Sequence, residues 1–587
     1  MAFFLTLILL GVSVYYFPVI IRSGGEALGW YLRRKTQQRR ELLLERAAEE
    51  ERDVQQSSKS AADEDDWEKV ESVGIGTVAN GGKAGDEWKG VVGFFHPFCN
   101  AGGGGERVLW AAIRATQQRW PEALCVVYTG DHDADKETII NRVQNRFNIP
   151  LHGPRVHFLY LSTRHYVLAS TYPHFTLLGQ SLGSIVLAYD AFTLLVPDIF
   201  IDTMGYAFSL AFCSLLFPDV PTGAYVHYPT ISTDMLGSLE EGGQGVNAGT
   251  GAGLKGQAKK QYWHFFAYLY SRVGASIDVV MTNSSWTQSH IQSLWGPGRA
   301  AKRQQVEAET APSAPKDSTK TTSASPPAPS EDITVVFPPV AVEEIASAIP
   351  ITAESAKNRK QELLYIAQFR PEKNHTLILE AFAQLINSYT DSQNKDSSTP
   401  STSQERPHLT LIGSVRDPDD ATRVYTLRLL AHELKIKEDV TFLCDASWEQ
   451  ILQALGRASV GVNAMWNEHF GIGVVEYQAA GLVGVVHDSG GPKRDIVVEI
   501  DGEKTGFHAT TAEQFAKGFR SALSLSPEDD LAMRLRARKS AARFTEKAFK
   551  EKWIGQVEKL VKLREVREKR EGEMKRVEGT DKPVLSS

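Results

Sequence analysis

From Val91 onward, short apolar runs alternate with longer stretches whose apolar positions recur at helical spacing. The runs are "VVGFF" (91–95), "ALCVVYTG" (123–130), "RVHFLYL" (155–161), "PDIFIDT" (197–203), "TGAYVHYP" (222–229), "SIDVVMTNSS" (276–285) and "ITVVFPP" (333–339). A second series follows, with "ELLYIAQF" (362–369), "HLTLIGS" (408–414), "VTFL" (440–443), "ASVGVNAMW" (458–466) and "LVGVVHDSGG" (482–491). Continuous apolar runs bounded by turn residues, with helices between them, predict parallel strands buried on both faces. The expected fold class is α/β, with two Rossmann-like domains in tandem and a cleft between them. Such sheets bind ligands at the carboxyl ends of their strands.

The pattern breaks in several places. Residues 1–21 carry no charged side chain, enough for a membrane-spanning helix of about 20 residues. Arg22, Arg33, Arg34, Lys35, Arg39 and Arg40 follow it, which predicts that the body of the protein lies on the cytosolic side. Residues 22–88 read as a basic, then Gly-rich tether. The segments 240–256, 297–332 and 391–406 read as disordered insertions by their composition. The expected domains are thus an anchor (1–21), a tether (22–88), a first Rossmann-like domain (89–345), a second Rossmann-like domain (355–555), and a C-terminal helix and tail (556–587). The very apolar stretch 175–217 is broken by Gln180, Asp190, Pro197, Asp198 and Asp202. It is expected to be a core helix–strand–helix, with part of a helix on the membrane surface.

Composition changes this picture little. The chain has 587 residues, of which 42% are hydrophobic and 23% charged, and the net charge of -7 argues against a nucleic-acid partner. Its four cysteines, Cys99, Cys125, Cys213 and Cys444, have no metal-ligand spacing and suit reduced thiols in the cytosol.

The candidate chemistry lies at strand ends. "NAGGGGERVLW" (100–110) links a strand to a helix, where consecutive glycines allow close approach of backbone to a ligand. A dinucleotide fingerprint would need glycine at position 107, which is Arg107. In "QFRPEKNH" (368–375), Pro371 suits a helix start, so Arg370 and Lys373 would stand beside an anion site fit for a diphosphate. "EHFGIGVVE" (468–476) puts Glu468 in a loop, Gly471 and Gly473 at a helix start and Glu476 one or two turns further in. Two carboxylates at different depths can accept hydrogen bonds from two different sugars. A two-carboxylate glycoside hydrolase would also pair acids, but it leaves the basic site unexplained.

These motifs, with "YVHYPTISTDML" (225–236), "TNSSWTQSHI" (282–291), "MWNEHFGIGVVE" (465–476) and "HDSGGPKRDIV" (487–497), resemble retaining GT-B glycosyltransferases. In particular they resemble the endoplasmic-reticulum GDP-mannose:dolichyl-diphosphate-oligosaccharide α-1,2-mannosyltransferases over about residues 90–555. "VFPPVAV" (336–342) departs from that family's usual form. The resemblance implies that Arg370 and Lys373 bind the donor diphosphate, Glu468 contacts the transferred mannose and Glu476 binds the ribose. It also implies that Phe470, Gly471 and Ile472 lie against mannose and phosphate, and that His227 stands near the reacting centre. Gly102, Gly103, Gly104, Gly105, Glu106 and Arg107 would face the acceptor diphosphate. The implied partners are GDP-mannose, a dolichyl-diphosphate-linked oligosaccharide, the endoplasmic-reticulum membrane and other mannosyltransferases of the same pathway. No cofactor and no metal are expected, although Asp131-His132-Asp133 and Asp417-Pro418-Asp419 have the Asp-x-Asp form. A transferase with another donor or linkage, and a non-catalytic binding member of the fold, are the alternatives.

Overall fold

The computed structural model describes residues 2–64, 88–240, 242–243, 249–311, 332–395, 405–415 and 417–580. Two parallel sheets form its frame. The first has strands β1 (Val91–Phe95), β2 (Leu124–Thr129), β3 (Val156–Tyr160), β4 (Ile199–Asp202), β5 (Thr222–Val226), β6 (Val279–Thr282) and β7 (Ile333–Val335), in the order β3-β2-β1-β4-β5-β6-β7. The second has β8 (Lys360–Ile366), β9 (His408–Gly413), β10 (Val440–Cys444), β11 (Ala458–Asn463), β12 (Val483–His487) and β13 (Gly506–Ala509), in the order β10-β9-β8-β11-β12-β13. Every residue of β1, β2, β5, β11 and β12 is buried, as a strand covered by helices on both faces requires.

In each sheet the strand order reverses next to the first strand, between β1 and β4 and between β8 and β11. At such a point neighbouring crossovers run to opposite faces, and a crevice opens at the carboxyl ends of the strands. β1 leads into the glycine loop, β8 into Arg370 and Lys373, and β11 into Glu468. The site residues are therefore gathered by topology.

Four parts of the expected organisation are corrected. The tether is helical as far as it is described: one helix runs Ala2–Glu64 and takes in the uncharged N-terminal segment. Leu32 and Ala47 are fully buried in the core of the first domain. Arg33 pairs with Asp219 at 2.7 Å, Arg40 with Asp198 at 2.5 Å, and Glu51 with Arg155 at 2.7 Å. So much of this helix is charged that its narrow apolar stripe, Leu28, Leu32, Leu43 and Leu44, does not stand out in the sequence. The rest of that reading, residues 65–87, lies outside the described residues.

The segment 297–332 contains a helix, Ala300–Thr310, and Arg299 before it is buried, donating to Asp332 at 2.8 Å and to the carbonyl of Ile277 at 2.7 Å. Residues 312–331 of that insertion are outside the described set. Helices Gly253–Gly274 and His375–Lys395 likewise run into the other two expected insertions, 240–256 and 391–406. Finally, the C-terminal helix starts at Glu546, not 556, and crosses back to the first domain. There Trp553, Val557 and Leu560 pack with Phe94 and Trp110, and Trp553 Nε1 donates to Thr116 Oγ1 at 3.1 Å.

The stretch 175–217 is a helix (Thr176–Leu194), β4 and a second helix (Ala207–Leu216). Leu187, Ala188, Ala191 and Phe192 pack into the core, while Leu182, Val186 and Tyr189 project outward from the opposite face. Among the described residues, Thr176–Leu194 is the one helix long and apolar enough to cross a membrane.

Candidate active site

One wall of the cleft begins where β8 ends. Pro371–Lys373 form one 3-10 turn, not the start of the long helix, which begins at His375 after Asn374 adopts a left-handed conformation (φ 52°). Asparagine tolerates that backbone better than most residues. The turn separates two cations. Arg370 is 40% exposed at the side chain, with Glu372 3.8 Å away. Lys373 is drawn inward, its Nζ 2.5 Å from Glu468 Oε2 and 3.1 Å from Met465 Sδ.

Glu468 comes from the loop after β11. Its side chain is 14% exposed, and Asn463 Nδ2 lies 3.5 Å from the same oxygen that Lys373 holds. Burial works against its charge, but the Lys373 ammonium outweighs it, and the carboxyl sits below the usual glutamate value. The "HDSGG" turn supports this loop from beneath. Gly491 N donates to Glu468 O at 2.8 Å. A Cβ on Gly490 (φ 67°) would fall 2.3 Å from that carbonyl, so only glycine fits.

Gly471 (φ 104°) precedes the helix Ile472–Ala480, whose first N–H groups have no earlier helical carbonyls to bond. Phe470 is buried against Phe544 and Phe337, which fixes the entry of this helix. Glu476 lies on its second turn. Burial pushes its carboxyl up to about 7, opposed in part by Arg107.

The facing wall belongs to the first domain. Gly102 (φ 77°) turns the chain, and Gly103 opens the helix Gly104–Arg119. A Cβ on Gly104 would lie 2.7 Å from Ile472 Cδ1, so the two loops meet across the cleft. One on Gly105 would lie 3.8 Å from His227 Nε2. That nitrogen is buried without a hydrogen-bond partner, and burial, reinforced by His96, lowers the His227 pKa to about 4. The imidazole is therefore neutral near pH 7.

Two of the residues expected on the acceptor side have other partners. Glu106 turns back to accept from Gly103 N at 2.5 Å and stands 3.6 Å from His96 Nε2. Arg107 donates to the Pro339 carbonyl at 3.1 Å and to Glu546 at 2.9 Å. These two shape the loop and the domain junction. The sequence reading assigned no role to His96, Tyr228, Asp234, Trp286, Asn467 or His469, yet all lie at the cleft. Five of them fall inside the motif strings, and that was the available signal.

A cleft between two Rossmann-like domains, with cations and a helix N-terminus on one wall and a glycine loop on the other, defines a GT-B glycosyltransferase. The "Glycosyl transferases group 1" family matches residues 350–544, and the "ALG11 mannosyltransferase N-terminus" family matches residues 89–295. A Neurospora crassa protein named GDP-Man:Man(3)GlcNAc(2)-PP-Dol alpha-1,2-mannosyltransferase is 58% identical, over 94% of this chain and 95% of its own length. The Mus musculus and Homo sapiens proteins of that name are each 42% identical, over 80% of this chain and 87% of theirs. Among solved structures, the fold is shared with a trehalose-6-phosphate phosphatase N-terminal domain from Candida albicans (TM-score 0.53, 13% identity, 81% of this chain and 98% of that one). It is shared too with a sucrose-phosphate synthase from Thermosynechococcus elongatus (TM-score 0.52, 15% identity, 80% and 98%). The chain belongs to the GDP-Man:Man(3)GlcNAc(2)-PP-Dol alpha-1,2-mannosyltransferase family.

Proposed function

We propose that this enzyme transfers mannose from GDP-mannose, with retention, to a dolichyl-diphosphate-linked Man3GlcNAc2 acceptor. It adds the fourth and fifth mannoses in α-1,2 linkage at the cytosolic face of the endoplasmic reticulum. The observation that carries this reading is the pairing of family membership with one cleft holding Arg370, Lys373, Glu468 and Glu476.

In this reading, Arg370, Lys373 and the first N–H groups of Ile472–Ala480 receive the diphosphate. As the glycosidic bond breaks, charge builds on the leaving group, and donors already in place stabilise it most in the transition state. Because Lys373 and Glu468 pair with each other, donor binding is an exchange: Lys373 turns to phosphate, and Glu468 to a mannose hydroxyl. Glu476 accepts from the ribose. His227, neutral and with Nε2 unpaired, offers a hydrogen bond to a sugar near the glycine loop.

No divalent metal is needed in this scheme. Asp131 is occupied by Arg164 and by Asn100 N at 2.9 Å, and Asp417 caps a helix through Asp420 N at 2.8 Å. Activity should survive EDTA at constant acceptor solubility. A requirement for stoichiometric magnesium or manganese would refute this point.

Membrane attachment is supported by the uncharged start of the Ala2–Glu64 helix and by an outward apolar face on the first domain. Leu182, Val186 and Tyr189 lie at i, i+4 and i+7 on one helix, and Phe265 and Tyr268 stand exposed on the helix Gly253–Gly274. The test of function is a donor panel, GDP-mannose against UDP-N-acetylglucosamine, with a defined lipid-linked trimannosyl acceptor. The expected result is two mannose additions from GDP-mannose alone. Transfer from the other donor, or none, would overturn the reading.

A further inference from the structure

The loop that carries Glu468 is gripped by the opposite domain at the residues on either side of it. On one side, Asn467 Nδ2 donates to Asp234 Oδ2 at 2.6 Å. Asp234 is itself held in place: His290 Nε2 lies 3.4 Å from the same oxygen, and Thr233 Oγ1 is 2.5 Å from His290 Nδ1. On the other side, the His469 ring stacks on Tyr228 with centroids 4.0 Å apart and planes 23° from parallel. Trp286 lies 5.5 Å from His469 at 20°, and 6.1 Å from Tyr228 at 6°. The three rings thus form one nearly parallel cluster drawn from both domains.

The rest of the loop is braced from its own domain. Asn467 is left-handed (φ 52°), and its N–H donates to Ser489 Oγ at 2.7 Å. Glu468 sits between two anchors, each of which ends in the first domain. Opening the cleft would break the carboxylate–amide bond and the ring stack together. It would leave the donor cations Arg370 and Lys373 where they are, since their turn is held by Tyr365 and Glu468 of the second domain.

We propose that Asp234 and the Tyr228–Trp286 pair are positioning residues that hold Glu468 in its transfer geometry, so that the site is complete only when the domains are closed. The inference rests on Glu468 serving the transferred sugar. A charge-assisted bond to an amide and a face-to-face ring stack are both directional, so each fixes the loop, not merely its distance from the other wall.

The test is a double-mutant cycle on the full-length enzyme, with GDP-mannose and the lipid-linked acceptor. Asp234→Ala and Asn467→Ala should each lower kcat, by up to about a hundredfold, the scale set by misplacing a reacting group by an ångström. GDP affinity by calorimetry should stay within about twofold, and the double variant should be no slower than the slower single one, because both break one bond. Tyr228→Phe keeps the ring and should recover most of what Tyr228→Ala loses. Losses that multiply in the double variant would overturn the proposal. So would a raised acceptor KM at unchanged kcat for Asp234→Ala, which would make Asp234 an acceptor contact. Glu468→Gln in the same assay separates the two levels: full turnover there would remove the reading of Glu468 itself, whereas its loss beside unimpaired Asp234 and Asn467 variants would remove the clasp alone.

Discussion

Lys373 links the turn after β8 to the loop of Glu468. Its ammonium neutralises a largely buried carboxylate, so Lys373→Ala removes the proposed phosphate ligand and also leaves Glu468 without that ion pair. Lys373→Ala should weaken GDP binding, by about tenfold or more on the usual scale of a charge-assisted hydrogen bond. Arg370→Ala should weaken it with less effect on thermal stability, since that side chain is open to the cleft. Unchanged GDP affinity in both would take them out of the phosphate site. Glu476 carries a pH dependence of its own. Burial has raised its carboxyl to about 7, so below that pH the protein without donor holds a proton there that a ribose-bound carboxylate would give up. Donor affinity should therefore rise as pH increases through about 7, with proton release on binding. Calorimetry in two buffers of different ionisation enthalpy reads this, and Glu476→Gln should abolish it. The places of Arg370, Lys373, Glu468 and Glu476 in the fold are legible in the sequence because each lies in a segment that follows a strand or a glycine. The partners of Arg107, Pro339 and Glu546, could not, because they are hundreds of residues away and carry no local signal.

At the scale of elements, the "HDSGG" turn does for Glu468 what no side chain could. A methyl at Gly490 would meet the Glu468 carbonyl, and its left-handed backbone adds roughly 1–2 kcal/mol of strain for a non-glycine residue. Gly490→Ala should lower the melting temperature and slow turnover together, and normal activity at unchanged stability would mean that the turn does not fix the loop. The strands were legible as far as they were apolar. β13, with the four residues Gly-Phe-His-Ala, has no such run and leaves no signal in the sequence. The N-terminal helix was hidden for the opposite reason. Its pairs Arg22–Glu26 and Arg46–Glu50 stabilise a helix at four-residue spacing, yet the same charges read as a solvated tether.

Over the whole molecule, the first and last helices both pack against the first domain. The Ala2–Glu64 helix and the Glu546–Thr580 helix are joined to it through Asp219, which takes both Arg33 and Arg564. A truncation that stops at residue 21 should therefore release much of the protein from membranes and keep the fold. One that stops at residue 35 also removes buried Leu32 and the Arg33–Asp219 pair, and should cost stability. Melting curves and membrane flotation of the two truncations check this, and equal stability would mean that the helix is only a tether. Protease protection in sealed microsomes tests the orientation: a body resistant until detergent is added would place it in the lumen. The proposed chemistry rests on two acids serving two sugars. Its most direct test is turnover and GDP affinity measured side by side for Glu468→Gln and Glu476→Gln. The prediction is that Glu468→Gln loses turnover with GDP affinity kept or improved, as Lys373 is freed, while Glu476→Gln loses mainly donor affinity. Equal loss of GDP affinity in both would contradict it.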